Sequence, residues 1–262
     1  GHGAGMTLER RQIRRAVEMA LDEDAPSGDL TSQVFVPAGA MAVADLVARE
    51  PGVFAGREVF EVAMTTLDPA VEVRGYLPLT DNMTGGDATR LGDVLTISNG
   101  TTVEIHNTDA EGRLILADGL VRASAGEPDA IIDLATLTGA CMVALGSDYA
   151  GIFANHSTWG DAVEAAAVDA GELLWPLPLP DAYRSQLDST VADIKNIGQR
   201  YGGASTAALF LREFVGEDIP WVHLDIAGPA FASEASPLTR KGGTGFGVAT
   251  LVETARTFRV PR

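Results

Sequence analysis

The segment Asn107–Leu114, which reads NTDAEGRL, decides the fold because it joins a strand pattern to a helix pattern. Before it, Val103 and Ile105 alternate with polar neighbours, as in a half-buried strand. After it, apolar residues up to Val121 recur at helical spacing. The segment is therefore predicted to be a strand-to-helix turn. Ligands of open α/β sheets usually bind beyond the carboxyl ends of strands, so the turn is also a candidate site.

The charged residues of this turn have two interpretations. Thr108 and Glu111 have the spacing of a capping box, in which both side chains bond backbone N–H groups at the start of a helix. A capping box explains neither Asp109 nor Arg113. Arg113 is a cation in the first turn of a helix, where the helix dipole favours anions. Neighbouring carboxylates are ligands for divalent ions, and bridging carboxylates can hold two ions for hydrolysis. The second interpretation is therefore a di-metal hydrolase site.

The composition indicates a folded, acidic protein. Its 262 residues are 46% hydrophobic, which is enough for a proper core. A formal net charge of -17 repels phosphate backbones and anionic lipids, so neither nucleic acid nor a membrane is expected as a partner. No apolar run approaches the ~18 residues of a membrane span. The single cysteine, Cys141, is expected to pack in the core, and a cytoplasmic location is expected.

The order of the patterns predicts an α/β fold, with an incomplete mixed sheet flanked by helices and a small α+β segment before it. In the first portion, helices are expected at 8–21 and 56–66 and strands at 42–49 and 71–73. Later strands are expected at 76–79, 94–97, 103–105, 130–134 and 221–226. Helices are expected after Arg113 and at 159–170, 206–214 and 247–258, and a glycine-rich stretch is expected from 134 to 151. The expected domains are residues 1–73, of which 1–5 resemble a tag remnant, and residues 74–262.

Six blocks of sequence occur together in one order: 77–83, 92–95, 107–114, 134–140, 196–198 and 223–228. With them, the chain from about Gly75 onwards resembles the C-terminal part of the catalytic domain of the leucyl aminopeptidase family. The resemblance implies a di-metal peptidase that removes N-terminal, leucine-type residues from peptides. It also implies two divalent ions, Mn2+ or Zn2+, and a homo-oligomer, which in the family is a hexamer.

The resemblance also implies roles for individual residues. Asp109 and Glu111 correspond to metal ligands. Arg113 corresponds to a catalytic residue that holds a bicarbonate or polarises the reacting centre. Four further positions match those that shape the pocket for the N-terminal side chain of the substrate: Thr136, Leu137, Gly139 and Ala227.

The sequence departs from the family in its lysines. The family site also uses a ligand lysine, a catalytic lysine and two further aspartates from an upstream segment. The only lysines here are Lys195 and Lys241, and no Asp-Ser-Gly-Gly run occurs. The two remaining carboxylates are expected to hold one divalent ion weakly, because a catalytic metal pair needs more ligands. The sequence thus predicts an impaired aminopeptidase, and the alternative is a non-catalytic binding or assembly module built on the same scaffold.

A second set of blocks lies upstream, at 20–24, 28–31, 48–50, 52–56 and 67–69. These blocks resemble the N-terminal domain of nicotinate-nucleotide pyrophosphorylase, also called quinolinate phosphoribosyltransferase. The barrel domain of that family has no counterpart after Val73, so its activity is not expected and none of its catalytic residues is transferred. The chain is therefore interpreted as a chimera joined near Arg74, whether by natural fusion, by engineering or by an assembly artefact.

Overall fold

The computed structural model describes residues 71–78, 80, 85–86, 88–235 and 241–261. The helices expected at 8–21 and 56–66 and the strand expected at 42–49 lie outside these residues. The chain divides into two units, and the larger comprises Pro78–Thr254 and Arg259–Arg262. Among the described helices, none combines the length and the apolar character needed to cross a membrane.

The larger unit alternates strands and helices, as the sequence predicts. In chain order the described elements are β1 (Val94–Thr96), β2 (Thr102–Glu104), α1 (Glu111–Ser124), β3 (Ile131–Ala135), α2 (Gly139–Leu145), β4 (Ala150–Ala154), α3 (Ser157–Ala170), β5 (Leu174–Pro176), a 3-10 helix (Asp181–Leu187), β6 (Ile194–Lys195), α4 (Gly203–Arg212), β7 (Trp221–Asp225), β8 (Phe231–Ala232), β9 (Gly242–Gly243) and α5 (Val248–Thr257). The expected α/β class is confirmed.

The main sheet is mixed and has four strands in the order β3-β7-β4-β5. Strands β3 and β7 are parallel, with Ala135 opposite Asp225, whereas β4 runs antiparallel to β7. Every residue of β7 is buried, because α3 and α4 both pack against this strand. The carboxyl ends of β3 and β7 therefore lie side by side, which brings the loops after them together.

A smaller sheet holds the segment that precedes α1. Strand β2 pairs antiparallel with β1 and parallel with β6, so that Glu104 lies opposite Lys195. The core then continues from this sheet into the helices, since Val103, Leu114 and Phe210 belong to one buried cluster. The predicted strand-to-helix turn therefore connects β2 with α1.

Three local predictions are wrong. Residues 71–73 and 76–78 form no strand, and Pro78 has no N–H to give to a sheet. The glycine-rich stretch expected from 134 to 151, to which no helix or strand was assigned, contains α2 and the start of β4. Gly151 lies in that buried strand because a Cβ there would come within 2.8 Å of the sulfur of Cys141 and 2.9 Å of Leu177 Cδ1. This glycine permits close packing in a strand and does not mark a loop.

Candidate active site

The predicted metal ligands lie at the start of α1. This helix begins at Glu111 with Ala110 as its N-cap, so Thr108 is not the N-cap that the capping-box interpretation requires. Asp109 is exposed and Glu111 is half-buried. The amide of Asp109 donates to Oδ1 of Asn107 at 3.0 Å, which closes a tight turn before the helix. Two carboxylates thus occupy one turn at the helix end that favours negative charge.

Arg113 is buried two positions further along α1, with 6% of the residue exposed. Its Nη1 donates to the main-chain oxygen of Asn196 at 2.8 Å. Its Nε is buried and has no hydrogen-bond partner in the described part of the chain. Burial lowers the pKa of Arg113 to about 10, although the nearby charge of Asp225 opposes the shift, so the guanidinium remains charged at neutral pH. A buried charged donor without a partner is costly, which makes Arg113 a candidate to bind an anion or an oxygen that gains negative charge.

The predicted pocket residues follow the two parallel strands, three of them in the loops after the strands and one at the start of α2. Thr136, Leu137 and Gly139 follow β3, and Ala227 follows β7. Thr136 and Gly139 are exposed, and a Cβ on Gly139 would have no neighbour within 4 Å. Leu137 is half-buried and packs against the core. The structure therefore places the four predicted pocket residues at one end of the sheet.

The carboxylate of Asp225 binds both of these loops. Its Oδ1 accepts from the amides of Leu137, Thr138 and Ala227 at 3.2, 3.3 and 3.2 Å. Its Oδ2 accepts from the hydroxyl of Thr138 at 2.6 Å. Because Asp225 is only 1% exposed, these bonds form out of water and hold the loops firmly. Gly228, in the loop after β7, allows a close approach to the residue that follows α2, since a Cβ there would come within 2.3 Å of the main-chain oxygen of Gly146.

Sequence reasoning missed the roles of Asp225 and Asn196. Both residues lie in blocks that carry the family resemblance, yet neither received a role. One signal could have revealed Asp225. It ends a strand that is otherwise largely apolar, and a carboxylate buried there requires hydrogen-bond donors. Asn196 follows β6, which has two residues and is too short to produce a strand pattern.

The described residues fit one weakly held divalent ion better than a metal pair. Asp109 and Glu111 supply two carboxylates, but no group of three or more His, Cys, Asp or Glu side chains that could hold a metal occurs within residues 71–78, 80, 85–86, 88–235 and 241–261. Asp109 is exposed, so a cation from solvent can reach its carboxylate. A catalytic pair of metals needs additional ligands to fix its geometry.

Residues 57–252 match the catalytic domain of the cytosol aminopeptidase family, peptidase family M17. The chain belongs to this family. The match covers the strand-to-helix turn and both loops that Asp225 binds, so the predicted leucyl aminopeptidase relationship is confirmed. It begins upstream of the junction expected near Arg74, and the resemblance of residues 1–73 to quinolinate phosphoribosyltransferase remains a prediction.

Relatives with curated names agree with the family. A probable cytosol aminopeptidase from Streptomyces coelicolor is 58% identical over 196 residues, which are 74% of this chain and 38% of the relative. A probable cytosol aminopeptidase from Synechococcus sp. strain CC9311 is 54% identical over 182 residues, which are 70% of this chain and 37% of the relative. The chain thus spans under two fifths of the length of these relatives.

Solved structures show the same fold. A mutant of tomato leucine aminopeptidase superposes with a TM-score of 0.70 at 38% identity, covering 85% of this chain and 45% of that one. The bottromycin maturation enzyme BotP in complex with Mn gives a TM-score of 0.66 at 37% identity, covering 83% of this chain and 51% of that one. The mixed α/β architecture is therefore that of the aminopeptidase catalytic domain.

Proposed function

We propose that this chain forms part of a metal-dependent aminopeptidase that removes N-terminal, leucine-type residues from peptides. The observation that carries the proposal is the position of Arg113. Its guanidinium lies two residues after Glu111 in α1, and its charge interacts with Asp225, whose carboxylate holds the predicted pocket loops. Arg113 therefore connects the candidate metal ligands with the candidate substrate pocket.

Each predicted residue has a chemical role in this proposal. Asp109 and Glu111 hold a divalent ion, Mn2+ or Zn2+, and the family resemblance implies two ions in a complete site. A bound divalent ion supplies a Lewis acid and a water of lowered pKa. Arg113 donates its Nε–H to a bicarbonate or to the oxygen that gains negative charge during peptide hydrolysis. The apolar side chain of the N-terminal residue is received by the four predicted pocket residues, of which Thr136 and Gly139 are exposed: Thr136, Leu137, Gly139 and Ala227.

The activity of this chain by itself is proposed to be weak. Asp109 and Glu111 are two ligands where a metal pair requires more, and Lys195 and Lys241 are the only lysines. The family resemblance further implies a homo-oligomer, a hexamer in the family, and a cytoplasmic location. We propose the same assembly and location for this chain.

A second candidate function is a non-catalytic binding or assembly module on the same scaffold. It is favoured by the lack of any group of three metal-binding side chains among the residues that the structure describes. The second candidate retains the fold and the pocket loops but assigns no hydrolysis to them.

Hydrolysis of L-leucine amide by the purified chain, with saturating Mn2+ or Zn2+, separates the two candidates. The aminopeptidase proposal expects slow, metal-dependent hydrolysis that Asp109→Ala and Glu111→Ala both abolish. Asp188→Ala is the matched control, because Asp188 is an exposed carboxylate that pairs with Arg184 on the surface. Equal rates in the wild type and the two ligand variants, or no hydrolysis at saturating metal, would contradict the aminopeptidase proposal and favour the binding module.

A further inference from the structure

Asn196 forms several hydrogen bonds with the strand-to-helix turn that leads into Asp109. No sequence pattern predicts these bonds. Asn196 is fully buried, immediately after β6. Its side-chain Oδ1 accepts from the amides of His106 and Asn107 at 2.8 and 3.2 Å. Its Nδ2 donates to the main-chain oxygen of Asn107 at 2.7 Å. One side chain thus satisfies three main-chain groups of the segment that leads into Asp109.

The same residue also binds Arg113. The main-chain oxygen of Asn196 accepts from Nη1 of Arg113 at 2.8 Å, and this is the single hydrogen bond of the guanidinium within the described residues. The amide of Asn196 in turn donates to the main-chain oxygen of Glu104 at 3.0 Å, which fixes Asn196 against β2. Asn196 therefore links β2, the turn and α1 at one point.

These hydrogen bonds lead from Asn196 to the candidate metal ligand Asp109. Asn196 holds Asn107 on two sides, and Oδ1 of Asn107 accepts from the amide of Asp109. Because Asp109 itself is exposed, its orientation depends on this turn and not on packing. Groups that orient metal ligands in this way strongly influence metal affinity.

We propose that Asn196 is a positioning residue, which holds the Asp109 turn and the Arg113 guanidinium in one fixed arrangement. The proposal deepens the proposed function, and it rests on that function for the roles of Asp109 and Arg113. The role of Asn196 in fixing the geometry of the turn does not depend on the proposed function, because that geometry can be measured without a ligand.

Asn155 provides a matched control for a purely structural role. Its side chain also bridges main-chain groups: Oδ1 accepts from the amide of Trp221 at 2.7 Å, and Nδ2 donates to the main-chain oxygen of Ile219 at 2.9 Å. These contacts lie at the amino end of β7, whereas the candidate site lies beyond its carboxyl end. Asn155→Ala therefore removes side-chain bonds to the same kinds of main-chain group away from the site, at a residue that is exposed where Asn196 is buried.

The test compares amide hydrogen exchange and Mn2+ affinity in Asn196→Ala, Asn155→Ala and the wild type. Exchange at His106, Asn107 and Asp109 is followed by NMR, and Mn2+ binding is followed by electron paramagnetic resonance. Asn196→Ala is expected to speed exchange at these amides at least ~10-fold and to weaken Mn2+ binding about 10- to 100-fold. Asn155→Ala is expected to change neither. If Asn196→Ala does not fold, Asn196→Ser replaces it, because the short hydroxyl cannot reach both amides.

Two results would overturn the positioning role: unchanged exchange at these amides in the Asn196 variant, or equal acceleration in the Asn196 and Asn155 variants. Failure of the proposed function gives a different result. A wild-type chain that binds no Mn2+ and hydrolyses no L-leucine amide would contradict the aminopeptidase proposal, while the exchange comparison would still decide whether Asn196 fixes the turn.

Discussion

At the residue scale, burial controls the chemistry of the only cysteine. Cys141 is 1% exposed and lies in the first turn of α2, where its amide donates to the hydroxyl of Thr138 at 3.0 Å. Burial, together with the negative charge of Asp225, raises the pKa of the Cys141 thiol to about 11. The packing role expected from the sequence agrees with this environment, because the thiolate is the reactive form and burial suppresses it.

The raised pKa predicts slow alkylation of Cys141. Near pH 8, iodoacetamide should modify the native thiol ~100-fold more slowly than the thiol of the urea-unfolded chain, since the pKa rises from 9.0 to about 11. The unfolded chain ionises first, so the contribution of this group to stability is complete below pH 9 and is lost as the pH rises to about 11. Cys141→Ala should lack that pH-dependent loss in urea unfolding. Similar alkylation rates for the native and unfolded chains would show that the thiol is not buried as described.

At the scale of elements, the parallel pair β3 and β7 brings the predicted pocket together. Asp225 ends β7 and binds the loop after β3, so the pocket depends on the register that sets Ala135 opposite Asp225. The same strands contain a second buried carboxylate, Asp133, which accepts from Nε1 of Trp221 at 2.6 Å and lies 2.6 Å from Nδ1 of His223. The pair of strands therefore has one buried carboxylate at the loops and one within the sheet.

Asp225→Asn tests the role of the loops. The variant cannot accept at both oxygens and removes the charge near Arg113, so it should weaken the binding of L-leucine amide ~10-fold, as expected for loss of a bond to a charged group. An NMR titration measures the dissociation constant even where hydrolysis is slow. Asp133→Asn is the control, because it disturbs a buried carboxylate of the same strand pair without touching the loops. Equal weakening in both variants would show that Asp225 acts through stability alone.

The sequence predicted the elements whose own apolar residues recur at a regular spacing. The turn from β2 to α1, the strand β7 and the helix α3 all have several apolar positions in one segment, so local patterns were sufficient. Strand β4 was missed because Gly151 there serves close packing against Cys141. The bonds of Asn196 could not be found locally, because the partners His106 and Asn107 lie about ninety positions away in the chain. Contacts of that kind depend on how two strands pair, which no single segment specifies.

At the scale of the whole molecule, charge complicates any metal measurement. The formal net charge of -17 attracts divalent cations to the surface without a defined site. At an ionic strength of about 0.15 M the Debye length falls to about 8 Å, so diffuse attraction is largely screened while a site with two carboxylates is affected less. Metal binding is therefore informative only at this ionic strength and beside a control that removes one surface carboxylate.

Mn2+ binding, measured by electron paramagnetic resonance at about 0.15 M salt, tests the central claim that Asp109 and Glu111 are metal ligands. The wild type and Asp188→Ala should each bind a single ion weakly, since the two carboxylates are too few for a firmly held pair. Asp109→Ala and Glu111→Ala should each lose this ion. Binding of equal strength in the wild type and in a chain lacking both carboxylates would contradict the assignment.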